Sequence, residues 1–239
     1  MKRMVIVILI LSTLLLAPSI SGVDDSITID PESPNGENSW YISDVYVTFH
    51  AYDPPLDSSG LAYIYYRIIE TRGEEPRWER YEIEGFTTEY DFTVHLDKNG
   101  RYIVEFYAED HAGNKGPIHS TPEIKIDKTP PTSEIIIPKD GYIYLQGEEL
   151  MENPFGGTLI LGGINVRVDA SDETSGVNMV HFEFSDGSRV YSGDDTEEPY
   201  IYMFLKTYLK PTSCTLRVFA KDTAGNIGVE DNISFKKWL

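Results

Sequence analysis

Residues 102–114 read YIVEFYAEDHAGN and residues 214–226 read CTLRVFAKDTAGN, so the chain carries the pattern A-x-D-x-A-G-N twice. The two stretches align without a gap. Upstream of them, VYVTFHAYD (45–53) aligns with INVRVDASD (164–172), and LAYIYYRI (61–68) aligns with VNMVHFEF (177–184). Three matched segments in the same order predict two copies of one structural module.

Apolar residues occupy every second position of the matched segments, which is typical of strands with one buried face. These rows are predicted to point inward: Val45, Val47, Phe49, Ala51, Tyr102, Val104, Phe106 and Ala108 in the first copy, and Ile164, Val166, Val168, Ala170, Cys214, Leu216, Val218 and Ala220 in the second. Cys214 is the single cysteine of the chain. Its place on an inward row predicts a buried, unreactive thiol rather than a nucleophile.

The strand-like runs are short, are separated by Gly, Pro, Asn and Asp, and include no amphipathic helical stretch of useful length. This pattern predicts an all-β protein made of two tandem immunoglobulin-like β-sandwiches, each of about 100 residues. The predicted limits are 24–127 and 128–239. Between them, Pro130 and Pro131 predict a short, stiff connection that holds the modules end to end.

The first residues have the layout of a secretory signal peptide. Lys2 and Arg3 precede an apolar run at 4–16, and small residues follow up to Gly22. The run is too short for an ordinary membrane span. A signal peptide at 1–22 is therefore predicted, with a secreted or cell-surface location for the rest of the chain. Membrane contact is expected only through a leader that stays uncleaved.

The chain is strongly acidic, with 39 Asp and Glu against 20 Lys and Arg and a formal net charge of −19. Such a surface repels nucleic acids and anionic lipids, so neither is expected as a partner. The five histidines show no H-E-x-x-H spacing, and no nucleophile elbow or phosphate-binding loop occurs. No catalytic residue is predicted.

The quoted segments also carry a family resemblance. The stretch WYISDVYVT (40–48), the W-x-x-Y of residues 78–81 and the D-x-A-G-N motif resemble the bacterial and archaeal Ig-like, fibronectin type III-like, repeats of exported cell-surface proteins. The second copy is similar to Ig-like modules of archaeal exported proteins. The resemblance covers nearly all of the chain beyond the leader. It implies an extracellular interaction or spacer module without catalytic residues.

The D-x-A-G-N motif follows the strand that corresponds to strand F of such a sandwich, so it is predicted to form the next turn. Gly113 and Gly225 suit a positive φ, and the aspartates can accept backbone N–H groups, which explains the motif without a ligand. A second interpretation is calcium binding. The loops after strands B and F lie at one end of the sandwich, which would bring these carboxylates together: Asp53, Asp57 and Asp110 in the first copy, and Asp172 and Asp222 in the second.

An aromatic face is predicted on the first copy, where Tyr63, Tyr65 and Tyr107 point outward from neighbouring strands. Exposed aromatic rings can stack on sugars or contact peptides. Ordinary cross-strand packing is the alternative. Separately, Asn232-Ile233-Ser234 is an N-glycosylation sequon that export would make usable.

Together these observations predict a noncatalytic, exported tandem Ig-like protein for cell-surface adhesion, assembly or spacing, with surface proteins or polysaccharide as partners. The alternative is a carbohydrate- or peptide-binding module that uses the tyrosines of the first copy. No cofactor is expected apart from calcium.

Overall fold

The computed structural model describes residues 27–54, 58–71, 73 and 76–239, and these residues form strands and loops without any helix. No segment among them could therefore cross a bilayer as a helix. The predicted signal peptide at 1–22 and the predicted ligand Asp57 lie outside the described residues. The all-β prediction is confirmed for the part of the chain that is described.

The first module contains the strands up to residue 126. These are β1 (Ile27–Asp30), β2 (Trp40–Tyr41), β3 (Val45–Tyr52), β4 (Leu61–Glu70), β5 (Glu79–Glu82), β6 (Glu89–Leu96), β7 (Gly100–Asp110), β8 (His119–Ser120) and β9 (Ile124–Ile126). One sheet has the order β1-β3-β6, and the other has the order β2-β9-β7-β4-β5 with β8 beside β7. The two sheets form a sandwich.

The second module contains the strands from residue 132 onward. These are β10 (Thr132–Ile137), β11 (Tyr142–Leu145), β12 (Glu148–Glu152), β13 (Thr158–Leu161), β14 (Ile164–Ser171), β15 (Val177–Ser185), β16 (Val190–Asp195), β17 (Tyr200–Phe204), β18 (Thr212–Asp222) and β19 (Asp231–Trp238). Its sheets have the orders β10-β14-β17 and β12-β11-β13-β19-β18-β15-β16. The aligned sequence segments therefore fold as matching strands: β3 with β14, β4 with β15 and β7 with β18.

Each module has its own core. The inward rows predicted from the sequence are buried except for Ala170, which is half-buried, and Val45, Phe49, Val180 and Leu216 are fully shielded from solvent. No buried cluster of the described residues contains side chains from both modules. Each fully buried Val, Leu or Phe contributes roughly 1.5–3 kcal/mol, so either sandwich has an independent source of stability. The limits 24–127 and 128–239 stay a prediction.

The modules differ in the segment between their first two core strands. In the first module the chain passes from β1 to the two-residue strand β2, which pairs with β9 in parallel. In the second module β13 takes the same place beside β19, but residues 138–157 add the hairpin β11–β12 before it. This hairpin was not predicted from the sequence.

Candidate functional site

The two D-x-A-G-N turns close in the same way. In each turn, Oδ1 of the aspartate accepts the backbone N–H of the asparagine four residues later at 2.8 Å, and Oδ2 accepts its side-chain amide at 2.8 Å. Gly113 and Gly225 have φ angles of 84° and 99°, which only glycine adopts without strain. The predicted turn, closed by Asp110 or Asp222, is confirmed at both positions.

Each turn is also fastened to the loop that follows β3 or β14. The residue after the aspartate donates its N–H to a glycine carbonyl, and the alanine donates its N–H to a serine hydroxyl. The pairs are His111–Gly60 (2.9 Å) and Ala112–Ser59 (3.0 Å) in the first module, and Thr223–Gly176 (2.9 Å) and Ala224–Ser175 (3.2 Å) in the second. The two acidic loops therefore meet at one end of each sandwich, as predicted.

In the loops after β3 and β14, an aspartate accepts hydrogen bonds from residues of its own loop. Oδ2 of Asp53 accepts the Ser58 hydroxyl at 2.7 Å and the Gly60 N–H at 2.8 Å. Oδ1 of Asp172 accepts three successive backbone N–H groups, which belong to Thr174, Ser175 and Gly176. Both carboxylates thus have a structural role that needs no ligand.

The surroundings of the two turns differ. Ala112 is exposed, whereas Ala224 is fully buried. The second turn is covered by the loop between β1 and β2 of the first module. There, the backbone N–H of Glu37 donates to the Ala224 carbonyl at 2.7 Å, and its carboxylate pairs with Lys221 at 2.5 Å. The side-chain amide of Asn38 donates to the Thr223 carbonyl at 2.9 Å.

Asp127 lies at the centre of this junction, fully buried, at the end of the first module. Its Oδ1 accepts the Asn99 side-chain amide and the Thr129 N–H, both at 3.1 Å. Its Oδ2 accepts the Ser175 N–H at 3.0 Å, and its carbonyl accepts the Asn226 side-chain amide at 3.0 Å. One residue therefore binds both acidic loops of the second module. Sequence reasoning did not identify it.

Asp127 completes a group of three carboxylates. One oxygen from each of Asp127, Asp172 and Asp222 lies within 4.8 Å of the other two. Burial, followed by repulsion from these two neighbours, raises the pKa of Asp127. Three oxygens of this kind could contribute to the shell of a hard cation such as Ca²⁺, which takes six to eight. Calcium at Asp172 and Asp222 stays a prediction, now with Asp127 as a third ligand.

The turn aspartate of the first module, Asp110, has a pKa shift opposite in direction to that of Asp127. Burial opposes ionisation of Asp110, but the hydrogen bonds that it receives from Asn114, Ser59 and Ala112 outweigh burial and lower its pKa. Among the described residues, no third carboxylate joins Asp53 and Asp110 in a group of this kind. The free turn therefore stabilises the ionised form of Asp110, whereas the junction stabilises the protonated form of Asp127.

The predicted tyrosine strip is present, and its rings pack on one another. Tyr65 and Tyr107 are stacked with centroids 4.7 Å apart, and Tyr63 meets Tyr65 edge-on at 6.2 Å. Trp78 adds a fourth ring, with its centroid 5.0 Å from that of Tyr107. Cations lie over the strip, with Lys115 5.4 Å from the Tyr65 centroid. The packing matches the cross-strand alternative, and ligand binding at the strip stays a prediction.

Comparison with known proteins yields similarity in fold. The chain is similar to fibronectin type III-like modules. It matches the fibronectin(III)-like modules of Clostridium thermocellum CbhA at 17% identity, covering 90% of this chain and 94% of that chain with a TM-score of 0.36. The chicken CNTN1 FN1-FN3 domains match at 14% identity over 90% of this chain and 65% of that chain, with a TM-score of 0.38.

A two-domain fibronectin type III segment from chicken tenascin matches at 10% identity over 89% of this chain and 98% of that chain, with a TM-score of 0.34. No family model and no curated protein matches the chain. Likeness at this level of identity extends to the fold alone.

Two further predicted positions lie on β18 and β19. Asn232 is exposed on the outer face of β19, and Ser234 of the same sequon is also exposed. The side chain is thus accessible for glycosylation, which stays a prediction. Cys214 is buried, and burial raises the pKa of its thiol. The prediction of an inert core cysteine is confirmed in its placement.

Proposed function

We propose that the chain is a noncatalytic tandem module of the cell surface, in which the junction holds two β-sandwiches in a fixed relative orientation for assembly or spacing. The supporting observation is that the second D-x-A-G-N turn packs against the first module through backbone and side-chain hydrogen bonds. In addition, Asp127 binds this turn and the neighbouring loop after β14. A flexible linker would need none of these contacts.

The linker supports the same proposal. Pro131 is buried, and a Cβ on Gly228 would lie 2.2 Å from the Pro131 carbonyl oxygen. A Cβ on Gly36 would lie 2.6 Å from the Ala224 carbonyl oxygen. At both positions the backbones approach so closely that only glycine fits. The Gly228 contact fixes the linker to the second module, and the Gly36 contact packs the two modules backbone to backbone, an arrangement suited to a spacer.

Backbone ¹⁵N relaxation of the intact protein tests the proposal. We expect both modules to tumble with one common correlation time. Independent values, each typical of a domain of about 100 residues, would contradict a fixed orientation. Asp127→Ala is expected to separate the two values, whereas Asp110→Ala, which changes the free turn, is expected to leave them equal.

An exported location is part of the proposal and rests on the leader-like residues 1–22. The test is the mass of the protein isolated from its own cells. A mature chain that begins near residue 23 is expected, and an intact Met1 in soluble protein would contradict it. The same spectrum reports on Asn232, where an added glycan mass is expected.

The alternative function, carbohydrate or peptide binding at Tyr63, Tyr65 and Tyr107, receives less support. A sugar-stacking surface requires open ring faces, but Tyr65 and Tyr107 are stacked against each other beneath Lys115. We expect no loss of polysaccharide binding on Tyr63→Ala/Tyr65→Ala in a glycan array. If the wild type binds a polysaccharide and the double variant does not, the alternative function would be favoured.

A further inference from the structure

The hairpin of residues 138–157 gives the second module an edge strand of its own. In the seven-stranded sheet β12 lies at the end of the strand order, and among the described residues it pairs only with β11. All five residues of β12 are exposed. The backbone groups on its outer side therefore lack a strand partner, and an extended segment could pair with them.

On the core side of the sheet, β12 carries two acidic residues. Glu149 lies opposite Tyr144 and Glu152 lies opposite Tyr142, and each tyrosine hydroxyl donates to its glutamate at 3.3 Å. Both carboxylates remain exposed, although the tyrosines beneath them pack toward the core. Glu149 also pairs with Lys139 at 3.1 Å, whereas Glu152 has no cation beside it among the salt bridges of the described residues. The three-stranded sheet opposite is too narrow to cover this part of the seven-stranded sheet.

The other side of β12 carries Met151 and, at the turn, Glu148, which lies opposite Leu145. Met151 lies opposite Ile143 of β11, which in turn lies beside Leu159 of β13. The three side chains form a row across neighbouring strands on the outer face of the sheet. Met151, at the open end of this row, is 58% exposed. A further strand would extend the row and cover Met151.

The charge on β12 selects among the possible occupants. Pairing of β12 with a second copy of itself would bring glutamates of both strands together, which is unfavourable. The net charge of −19 adds long-range repulsion between two copies. Both effects reverse their sign for a basic segment. The same residues that protect the edge from self-association thus favour a cationic partner.

We propose that β12 binds an extended segment of another protein in which Lys or Arg alternates with apolar residues, and adds it to the sheet as an eighth strand. Because side chains alternate across a strand, the basic residues would face Glu149 and Glu152 while the apolar residues would face Met151. Main-chain hydrogen bonds supply affinity, and the two faces of β12 supply specificity.

The probe is a synthetic eight-residue peptide that alternates lysine and valine, titrated into the intact protein by calorimetry. Its first control is a block peptide of the same composition, with four lysines followed by four valines. The alternating peptide is expected to bind at least tenfold more tightly. Equal affinity would show attraction by net charge alone and would overturn the proposal.

Backbone pairing is tested by two further versions of the peptide, one N-methylated at its valines and the other at its lysines. Only one set of amides can face β12. One version is therefore expected to bind at least tenfold more weakly than the unmethylated peptide, and the other is expected to bind equally well. Full binding by both versions would exclude strand addition.

Variants of the protein locate the site. Met151→Asp and Glu149→Lys/Glu152→Lys are each expected to weaken binding at least tenfold. The matched controls are Met203→Asp on β17, where the methionine is also 58% exposed, and Glu197→Lys/Glu198→Lys in the loop before β17. Binding that falls equally in variants and controls would contradict the proposal. All of these positions are on the surface, and circular dichroism checks that each variant is folded.

Discussion

The two D-x-A-G-N turns share the hydrogen bonds between aspartate and asparagine but have different neighbours. Asp110 is part of a turn whose tip is exposed, and its hydrogen bonds lower its pKa. Asp222 lies in the junction, where Asp127 and Asp172 bring two more carboxylates within 4.8 Å. The comparison teaches that one repeated motif can serve as a turn in one module and as a docking surface in the next.

The largest expected effect comes from removing the turn aspartates. Asp110→Ala leaves the part-buried amides of Asn114 without their acceptors, and we expect a loss of about 2 kcal/mol in the free energy of unfolding of the first module. Asp222→Ala removes the equivalent bonds and a further one from the Gly225 N–H at 2.7 Å, but it also removes one of three repelling charges. Its loss is expected to be smaller by about 1 kcal/mol.

Urea unfolding of both variants, followed separately for each module, measures this difference. Asp110→Asn and Asp222→Asn serve as controls, because they keep an acceptor oxygen. An equal or greater loss for Asp222→Ala would show that repulsion at the junction is negligible.

The next effect concerns the junction alone. Gly36→Ala is expected to loosen it, because the new Cβ would lie 2.6 Å from the Ala224 carbonyl oxygen. Lys128 is anchored by Asp44 at 2.5 Å and by the Asp97 carbonyl at 2.6 Å. Tryptic cleavage after Lys128 is expected to become about tenfold faster in Gly36→Ala. Ser33→Ala, in the same loop, is the control, and equal rates for both would contradict close packing at Gly36.

Calcium binding is expected to distinguish the junction from the free turn. A cation among Asp127, Asp172 and Asp222 would relieve their repulsion, and millimolar Ca²⁺ is expected to raise the melting temperature of the second module by about 5 °C. Asp127→Asn is expected to remove most of this rise, whereas Asp110→Asn is expected to retain it. Identical melting with Ca²⁺ and with chelator would eliminate the calcium prediction.

The smallest effect is the pH dependence, which has opposite sign at the two sites. Because the pKa of Asp127 is raised, the folded chain binds its proton more tightly, and stability from this group increases as the pH falls toward about 4. The pKa of Asp110 is lowered. Its contribution is present above about pH 4 and is lost on further acidification.

Urea unfolding between pH 2 and 7 therefore separates the two aspartates. Lowering the pH is expected to stabilise Asp127→Asn less than the wild type, because the variant lacks the group whose protonation favours folding. It is expected to destabilise Asp110→Asn less than the wild type, because the variant lacks the carboxylate whose ionised form favours folding. The same slope change in both variants would mean that the two sites have the same electrostatic environment.

The sandwiches and turns could be predicted because their signal is local and repeated. Period-two apolar rows fix which face of each strand is buried, and the A-x-D-x-A-G-N pattern occurs in both copies. Asp127 has no repeated counterpart in the described chain, since Leu239 stands at the aligned position. Its contacts to the acidic loops of the second module are to residues 48 and 99 positions away. The signal that could have indicated it was an aspartate at a strand end before Thr129-Pro130-Pro131.

The hairpin β11–β12 was missed for a different reason. Its sequence, YIYLQGEELME, lacks the Asn-Gly or Asp-Gly pair that marks most two-residue hairpin turns. In the structure Gln146 and Gly147 nevertheless have φ angles of 51° and 90°. Such a turn requires a positive φ at both central residues. Gly147 was the available signal, and the non-glycine Gln146 weakened it.

The most direct test of the fixed junction is a distance distribution between spin labels on the two modules. Thr93→Cys on β6 and Ser188→Cys beside β16 provide exposed attachment sites, and buried Cys214 is replaced by serine. Double electron–electron resonance is expected to give one narrow distance peak that broadens in Asp127→Ala. A broad distribution in the protein with native Asp127, unchanged by that substitution, would contradict the account.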